Sequence, residues 1–287
     1  MFRFRVALFL FALTIAVPVW GQTVIEPCPA TPAPAKPAIT APPTKVGAAV
    51  KQITVDASIP DDPAVEKMLT PYSEKVRALS LVIGKLDSPL NRDGAGAGSL
   101  GRFVTDGIRA QAEAKLGKPI TLAIVNAGGL RKNEISAGDL RASDIFELLP
   151  FENALVVLEI NGAQLAKLLP VTARDAQSGA RIHFKWNDQN RAEFISAKLV
   201  DDAGREHEID PEKIYTIVTI DYLLNLNSGA YALLHEAKTS TPLNVTLRDA
   251  MMDYVKSETA AGRNIRPVND GRYVQVGPDR KGPEEPR

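Results

Sequence analysis

A short motif after a mainly apolar run combines groups that can bind an anion. Residues 121–125 are followed by the run Asn126-Ala127-Gly128-Gly129-Leu130-Arg131. Successive backbone N–H groups in such a turn can form an anion-binding nest, and the Arg131 guanidinium adds two parallel donors, so the motif could bind a phosphate or a carboxylate. Taken alone, the same pattern is more typical of an ordinary glycine turn with a solvated arginine.

Two aromatic residues lie in polar loops beside predicted elements. Phe151 and Asn153 stand between a predicted helix end at Pro150 and a predicted strand, and Tyr222 comes just after another predicted strand. Aromatic rings in polar loops suit the stacking of a planar ligand ring, which contributes about 1–3 kcal/mol for each stacked base. The alternative, which the spacing alone favours, is that both rings cover the edges of the core.

The composition excludes several classes of function. The chain has 34 basic and 34 acidic residues, so it lacks the excess positive charge of a nucleic-acid-binding protein. Its one cysteine excludes an internal disulfide framework and a multi-thiolate metal site. The three histidines are scattered along the chain, and no GxSxG, HExxH or CxxC motif is present. We therefore predict no catalytic residue, no metal ligand and no cofactor in this chain.

The first 59 residues are predicted to lie outside the folded domain. Residues 1–21 combine Arg3 and Arg5 with an apolar run of about a dozen residues, which is typical of a secretory signal peptide. A retained membrane anchor is the alternative, but the run is shorter than the roughly 20 residues needed to span a bilayer. Residues 22–59 form a Pro/Ala-rich linker that favours extended polyproline II structure. The prediction is a periplasmic or secreted protein without membrane association after cleavage.

The remaining pattern predicts one α+β domain at residues 60–279, with a mixed sheet and flanking helices, followed by a polar tail at residues 280–287. Ser99 is a plausible N-cap for a helix over residues 100–116. The run Gly94-Ala95-Gly96-Ala97-Gly98 before it imitates a phosphate-binding loop but lacks the strand ahead of it and the GK[ST] ending, so a flexible lead-in is the better interpretation. A first helix is expected to break at Pro71, and another is expected over residues 245–255.

Several motifs in a fixed order resemble the C-terminal domain of the bacterial and animal 5'-nucleotidase family. The resemblance runs from roughly Lys75 to Val276. The motifs are Leu100-Gly101 with Thr105-Asp106, the Asn126–Arg131 run, Gly138-Asp139, Leu149-Pro150-Phe151 with Asn153, Asn161-Gly162, Ser178-Gly179 and Asp221-Tyr222-Leu223.

The resemblance implies that the domain recognises a nucleotide or nucleoside. In the family two aromatic rings sandwich the base, and they match Phe151 and Tyr222 here. The resemblance further assigns Asn153 to the base and Gly179 to the base pocket. For the phosphate side it gives Arg131, with Asn126, Gly128 and Gly129 in the same loop, and Arg92 is the nearest match for a further family arginine.

Two departures from the family pattern change what is expected. The family's Gly-Gly-Asp-Gly-Tyr, whose Asp binds the ribose hydroxyls, is replaced by the run from Asn225 to Tyr231, which contains no carboxylate. The D-x-H, G-N-H-[DE] and G-H-x-H motifs of the family's N-terminal metallophosphoesterase domain are also missing from this sequence. The leading hypothesis is a recognition domain that positions a nucleotide for phosphate-ester hydrolysis, with divalent metals supplied by a separate metallophosphoesterase subunit. The alternatives are a non-catalytic exported nucleotide-binding protein and a degenerate interaction module.

Overall fold

A computed structural model describes residues 52, 54–56, 58–227, 229–266 and 269–279. The predicted signal peptide, almost all of the predicted linker and the predicted polar tail lie outside these residues, and the predicted domain boundaries stay predictions. The described residues from Asp61 onward form one compact unit, which contains all the helices and strands of the described chain.

The unit combines helices with runs of consecutive strands, as an α+β chain does. Its α-helices are α1 (Pro63–Leu79), α2 (Gly98–Leu116), α3 (Ala142–Leu148), α4 (Gly162–Leu168), α5 (Asp221–Leu224) and α6 (Leu247–Ala260). Short 3-10 helices span Ala95–Ala97, Ala127–Gly129, Leu169–Ala173 and Gly229–Glu236. The strands are β1 (Val82–Leu86), β2 (Leu90–Asn91), β3 (Leu122–Val125), β4 (Glu134–Ile135), β5 (Gly138–Arg141), β6 (Ala154–Asn161), β7 (Ala176–Ser178), β8 (Ala180–Trp186), β9 (Ala192–Val200), β10 (Glu206–His207), β11 (Ile214–Ile220), β12 (Thr239–Thr246) and β13 (Tyr273–Gln275).

Two larger sheets organise these strands, and both are mixed. The five-stranded sheet has the order β12-β6-β11-β3-β7, in which only the β11–β3 pair is parallel. The four-stranded sheet has the order β10-β9-β8-β13, in which the β8–β13 pair is parallel. The predicted α+β class with a mixed sheet is therefore confirmed.

Helix α2 packs on the side of the five-stranded sheet formed by β3 and β7. Leu100, Val104 and Ile108 recur every four residues on one face and are fully buried, and the helix packs on β3, β7 and α6. The helix begins earlier than predicted, and Ser99 is not its N-cap. The Ser99 hydroxyl instead accepts a hydrogen bond from the Asn91 N–H at 2.7 Å, which attaches the start of α2 to β2.

The glycine-rich run ahead of α2 is buried from Ala95 onward, so the expected flexible lead-in is wrong. Ala95 and Ala97 are 8% and 5% exposed. Gly96 has a φ of 64°, and a Cβ atom there would lie 2.0 Å from the Tyr273 hydroxyl. Only glycine allows the Tyr273 ring to approach the backbone this closely, which explains the glycine without a ligand.

Two other expectations at helix ends are also wrong. Helix α1 continues through Pro71 instead of breaking there. Pro71 removes one backbone donor, and this helix tolerates the loss because none of its residues is buried, so the freed carbonyl faces water. The expected helix from Val245 starts only at Leu247, because residues 239–246 pair with β6 as the edge strand β12. An edge position accommodates Pro242 within that strand.

Candidate functional site

One pocket gathers most of the residues that the sequence analysis singled out. It has a volume of about 360 Å³. Its lining residues are Asn126, Gly128, Gly129, Arg131, Phe151, Asn153 and Tyr222. All seven belong to the nine predicted binding residues, although they come from three segments that are distant in sequence.

The sheet topology explains why these three segments meet. Strands β3 and β11 are parallel neighbours, so the loop after Val125 and helix α5 after Ile220 both begin at the same end of these strands. Strand β6 is antiparallel to β11, with Leu155 opposite Ile220, so the loop that carries Phe151 leads into β6 at that same end. The pocket is therefore formed at one end of the three adjacent strands β3, β11 and β6.

The two aromatic rings are only partly covered by protein. Phe151 and Tyr222 are each 47% exposed, and both line the pocket. The Arg131 guanidinium carbon lies 5.9 Å from the centroid of the Phe151 ring, within the range of a cation–π contact. The open ring surfaces and the guanidinium thus face one shared space.

The loop that carries Phe151 is fixed by hydrogen bonds from two helices. The Asn153 carbonyl accepts the Leu247 N–H of α6 at 2.7 Å, and the Asp221 carboxylate at the start of α5 accepts the Ala154 N–H at 3.0 Å. Arg248 of α6 donates to the Glu152 carboxylate. These bonds hold Phe151 and Asn153 at a defined place relative to Tyr222.

The loop after β3 does not offer the open row of amides that its glycines suggest. The Gly129 N–H donates to the Asn126 carbonyl at 3.0 Å, and the Leu130 N–H donates to the Ala127 carbonyl at 3.2 Å. The Arg131 N–H is bonded to the Leu148 carbonyl at 2.8 Å. Over residues 127–131, only the Gly128 amide lacks an acceptor within the described chain. The predicted anion nest is thus reduced to one backbone donor and the Arg131 side chain.

The side chain of Asn126 contributes an unsatisfied acceptor beside these groups. Its Oδ1 atom is buried and receives no hydrogen bond from the described residues. A Cβ atom at Gly129 would lie 3.2 Å from this oxygen, so the glycine leaves the space that the Asn126 amide occupies. The Asn126 amide therefore fits at the pocket wall because Gly129 has no side chain.

Two predicted binding residues lie elsewhere. Arg92 does not line the pocket; its Nη2 atom donates to the Ala127 carbonyl at 2.7 Å, so it supports the loop from behind. Gly179 lines a different cavity of about 370 Å³, together with Asp106, Arg181 and Arg272. Gly179 is therefore not one of the residues that line the pocket with Phe151 and Tyr222.

The conformation of Gly179 has a separate structural reason. It joins β7 to β8 with a φ of 104°, and a Cβ atom there would lie 2.0 Å from the Thr121 carbonyl oxygen. The backbone of this turn therefore passes so close to the segment before β3 that no side chain fits. The glycine is required by packing of the sheet edge, whatever the protein binds.

Sequence reasoning missed Asp175, which lies directly behind the loop after β3. Its Oδ1 atom accepts the Ala127 N–H at 2.9 Å, and its Oδ2 atom accepts the Tyr231 hydroxyl. Burial raises the pKa of Asp175 to about 6, although the Ala127 N–H and the positive charge of Arg174 lower it. No motif marks this residue, because its partners are 48 and 56 positions away in sequence.

The described residues contain no group of three or more His, Cys, Asp or Glu side chains placed to hold a metal ion. None of their helices is both long enough and apolar enough to cross a bilayer.

The chain matches a family model and is similar in sequence to several curated proteins. Residues 82–236, just over half of the chain, match the family model described as "5'-nucleotidase, C-terminal domain". The chain is 27% identical over 183 residues to Protein UshA of Yersinia enterocolitica, and 29% identical over 179 residues to a 5'-nucleotidase of Vibrio cholerae. Each alignment covers 60% of this chain but only 30% and 31% of the relative, so the chain spans about a third of these relatives' length.

A solved structure shares the fold. The 5'-nucleotidase precursor from Thermus thermophilus superposes with a TM-score of 0.62 at 23% sequence identity, covering 77% of this chain and 44% of that one. The segment that matches the family model includes the pocket-lining residues from Asn126 to Tyr222. The chain therefore belongs to the 5'-nucleotidase C-terminal domain family.

Proposed function

We propose that this protein binds a nucleotide or nucleoside, with the base stacked between Phe151 and Tyr222 and the phosphate directed toward Arg131. The bound nucleotide would be presented for phosphate-ester hydrolysis, a step of nucleotide catabolism. A separate metallophosphoesterase chain would supply the divalent metals and the water that they activate. We further propose that the protein is periplasmic or secreted, in keeping with its predicted signal peptide.

The observation that carries this proposal is the convergence of two half-exposed aromatic rings on one pocket. Stacking of a planar base on a solvent-exposed aromatic ring stabilises the complex by about 1–3 kcal/mol per base. A pocket of about 360 Å³ falls within the range of small-molecule sites. Asn126 and Asn153 add amide groups that can pair with the polar edge of a base.

The charges of the pocket suit an anionic ligand of low charge. Arg131 is the one basic side chain among the seven lining residues, and a guanidinium can bind a phosphate through two parallel hydrogen bonds. No carboxylate is among the seven lining residues, so none of them brings a negative charge close to the phosphate. The absence of a carboxylate also predicts weak discrimination between ribose and deoxyribose, since neutral partners alone would contact the sugar hydroxyl groups.

Calorimetric titration of the purified protein tests the binding proposal. AMP, adenosine and UDP-glucose are the probes, and at least one of them should bind with a dissociation constant below the millimolar range. If none of the three probes binds at millimolar concentration, and if the titrations of the double variant Phe151→Ala/Tyr222→Ala are the same as those of the wild type, the domain is an interaction module instead of a ligand-binding domain.

A phosphate-release assay tests the division of labour. The protein alone, supplied with AMP and with Mn²⁺ or Zn²⁺, should release no phosphate, because the described residues contain no metal-binding cluster. A metallophosphoesterase encoded beside it should release phosphate from AMP, and it should do so faster when this chain is added. Release by this chain alone would refute the proposal, and binding without stimulation would leave a nucleotide-binding protein that takes no part in catalysis.

A further inference from the structure

We propose that Asp175 is a positioning residue for the binding site: its ionised carboxylate joins the Ala127 N–H group to the Tyr231 hydroxyl group and so holds the loop after β3 in its binding conformation. The inference rests on the proposed function for its effect on a ligand. The contacts of Asp175 that support the inference are formed within the protein itself.

The first step concerns Ala127, whose backbone N–H and backbone carbonyl are both hydrogen-bonded to side chains. Its N–H donates to Asp175 Oδ1 at 2.9 Å, and its carbonyl accepts from Arg92 Nη2 at 2.7 Å. Ala127 lies between Asn126 and Gly128, both of which line the pocket. Because the two bonds come from opposite ends of the residue, they fix the orientation of the loop that presents Asn126 and the Gly128 amide.

The second step concerns the position of Asp175 among three other segments. Its backbone carbonyl accepts the Tyr273 hydroxyl of β13 at 2.9 Å, and its N–H donates to the Val171 carbonyl at 3.0 Å. The carboxylate is therefore placed by rigid surroundings instead of by a flexible loop. Tyr231 belongs to the 3-10 segment Gly229–Glu236, so one carboxylate connects that segment with the pocket loop.

The third step concerns the charge state. A carboxylate can accept from both partners at once, whereas a protonated carboxyl has lost one charge-assisted acceptor. Burial raises the pKa of Asp175 to about 6, against the lowering effects of the Ala127 N–H and of Arg174. The other titratable or charged groups at this position are Tyr231, Tyr273 and, through the Ala127 carbonyl, Arg92. Asp175 is the one carboxyl group among them, so we assign the response near pH 6 to it.

The consequence for a ligand is a pH-dependent affinity. If only the ionised form holds the loop, the apparent dissociation constant is the intrinsic one divided by the ionised fraction. With a pKa of about 6, that fraction rises about tenfold between pH 5 and pH 7.5. A nucleoside is the right probe, because a phosphate group titrates near pH 6 as well.

Adenosine titrations at pH 5 and pH 7.5 test the effect on binding. Wild-type protein should bind about tenfold more tightly at the higher pH, and Asp175→Asn should bind weakly with little pH dependence. His235→Gln is the matched control: it removes an exposed titratable group from the segment that carries Tyr231 and should retain the wild-type pH dependence. If a folded Asp175→Asn variant keeps the wild-type dependence, the proposal is wrong.

A measurement without ligand separates this proposal from the proposed function. The amide resonance of Ala127 in the NMR spectrum should titrate with a midpoint near pH 6 in the wild type and should not titrate in Asp175→Asn. Tyr231→Phe removes a donor to the carboxylate and should raise the midpoint. Failure of every nucleoside to bind would refute the proposed function alone, whereas an Ala127 resonance insensitive to pH would refute the role of Asp175 alone.

Discussion

Asp221 and Ala154 join the two aromatic residues of the pocket: the Asp221 Oδ1 atom accepts the Ala154 N–H at 3.0 Å. Asp221 immediately precedes Tyr222, and Ala154 follows Phe151 by three residues. The bond therefore connects the loop of one ring to the helix of the other. Since the two residues are 67 positions apart in sequence, the separation of the rings depends on this tertiary contact and on the β6–β11 pairing beneath it.

Removing the Asp221 carboxylate should loosen both rings together. Asp221→Ala leaves the Ala154 N–H without its acceptor, which costs about 1–3 kcal/mol of unfolding free energy and should weaken nucleoside binding. Asp221→Asn keeps an acceptor oxygen and should restore most of both losses. Urea unfolding and adenosine titration measure the two effects. Wild-type affinity in a folded Asp221→Ala variant would show that the bond does not set the ring separation.

Truncating either aromatic ring should weaken ligand binding without unfolding the protein. Phe151→Ala and Tyr222→Ala each remove one stacking surface, so we expect each to lose about 1–3 kcal/mol of binding free energy. Both residues are 47% exposed, so the melting temperature should change little. Ile195→Ala on β9 is the control, because Ile195 is 45% exposed but lies outside the pocket. Equal affinities for all three variants would contradict the stacking site.

Arg131 should distinguish ligands that carry a phosphate from those that do not. Arg131→Ala should weaken AMP binding roughly 10–100-fold, because a hydrogen bond to a charged group contributes about 1.5–3 kcal/mol. Adenosine binding should fall far less. Arg205→Ala serves as the control, since Arg205 is exposed and pairs with Asp201 away from this pocket. An equal loss for AMP and adenosine would mean that Arg131 acts through the Phe151 ring instead of on the phosphate.

Gly179 should affect folding far more than binding. Gly179 and Gly204 both have positive φ, at 104° and 76°, so alanine strains the backbone by about 1–2 kcal/mol at either position. A Cβ atom at Gly179 would also overlap the Thr121 carbonyl, whereas nothing lies within 4 Å of one at Gly204. Gly179→Ala should therefore cost about 1–3 kcal/mol more unfolding free energy than Gly204→Ala. Similar losses for the two variants would contradict the close approach of the backbone.

Asp175 should make the stability depend on pH with a defined sign. Its pKa in the folded protein, about 6, lies above the ordinary value of 3.8, so the folded state binds this proton more tightly than the unfolded state does. The stabilisation is therefore fully present below about pH 4 and is lost as pH rises through about 6, an amplitude of roughly 3 kcal/mol. Urea unfolding at several pH values measures it. Asp175→Asn should lack this component, and an unchanged pH profile in that variant would assign it to other groups.

The sequence alone predicted the elements whose signals are local. Residues 214–220 are mainly apolar, and they form β11, the strand that is predicted just before Tyr222. The seven pocket residues were also found from sequence, because each belongs to a short motif that resembles a family pattern. Motifs and periodicity depend on neighbouring residues, and these are visible in the chain itself.

The rest depended on contacts between distant segments. The glycine-rich run before α2 is buried because Tyr273 packs on it, and residues 239–246 form a strand because β6 offers an open edge. Of the loop amides that the sequence suggested for anion binding, all but that of Gly128 are bonded within the described chain, and the Ala127 amide is bonded to Asp175. Sequence determined which side chains could serve a nucleotide. Tertiary structure decided which donors remain free and separated Gly179 and Arg92 from the pocket, because the partners of these groups are set by the path of the whole chain.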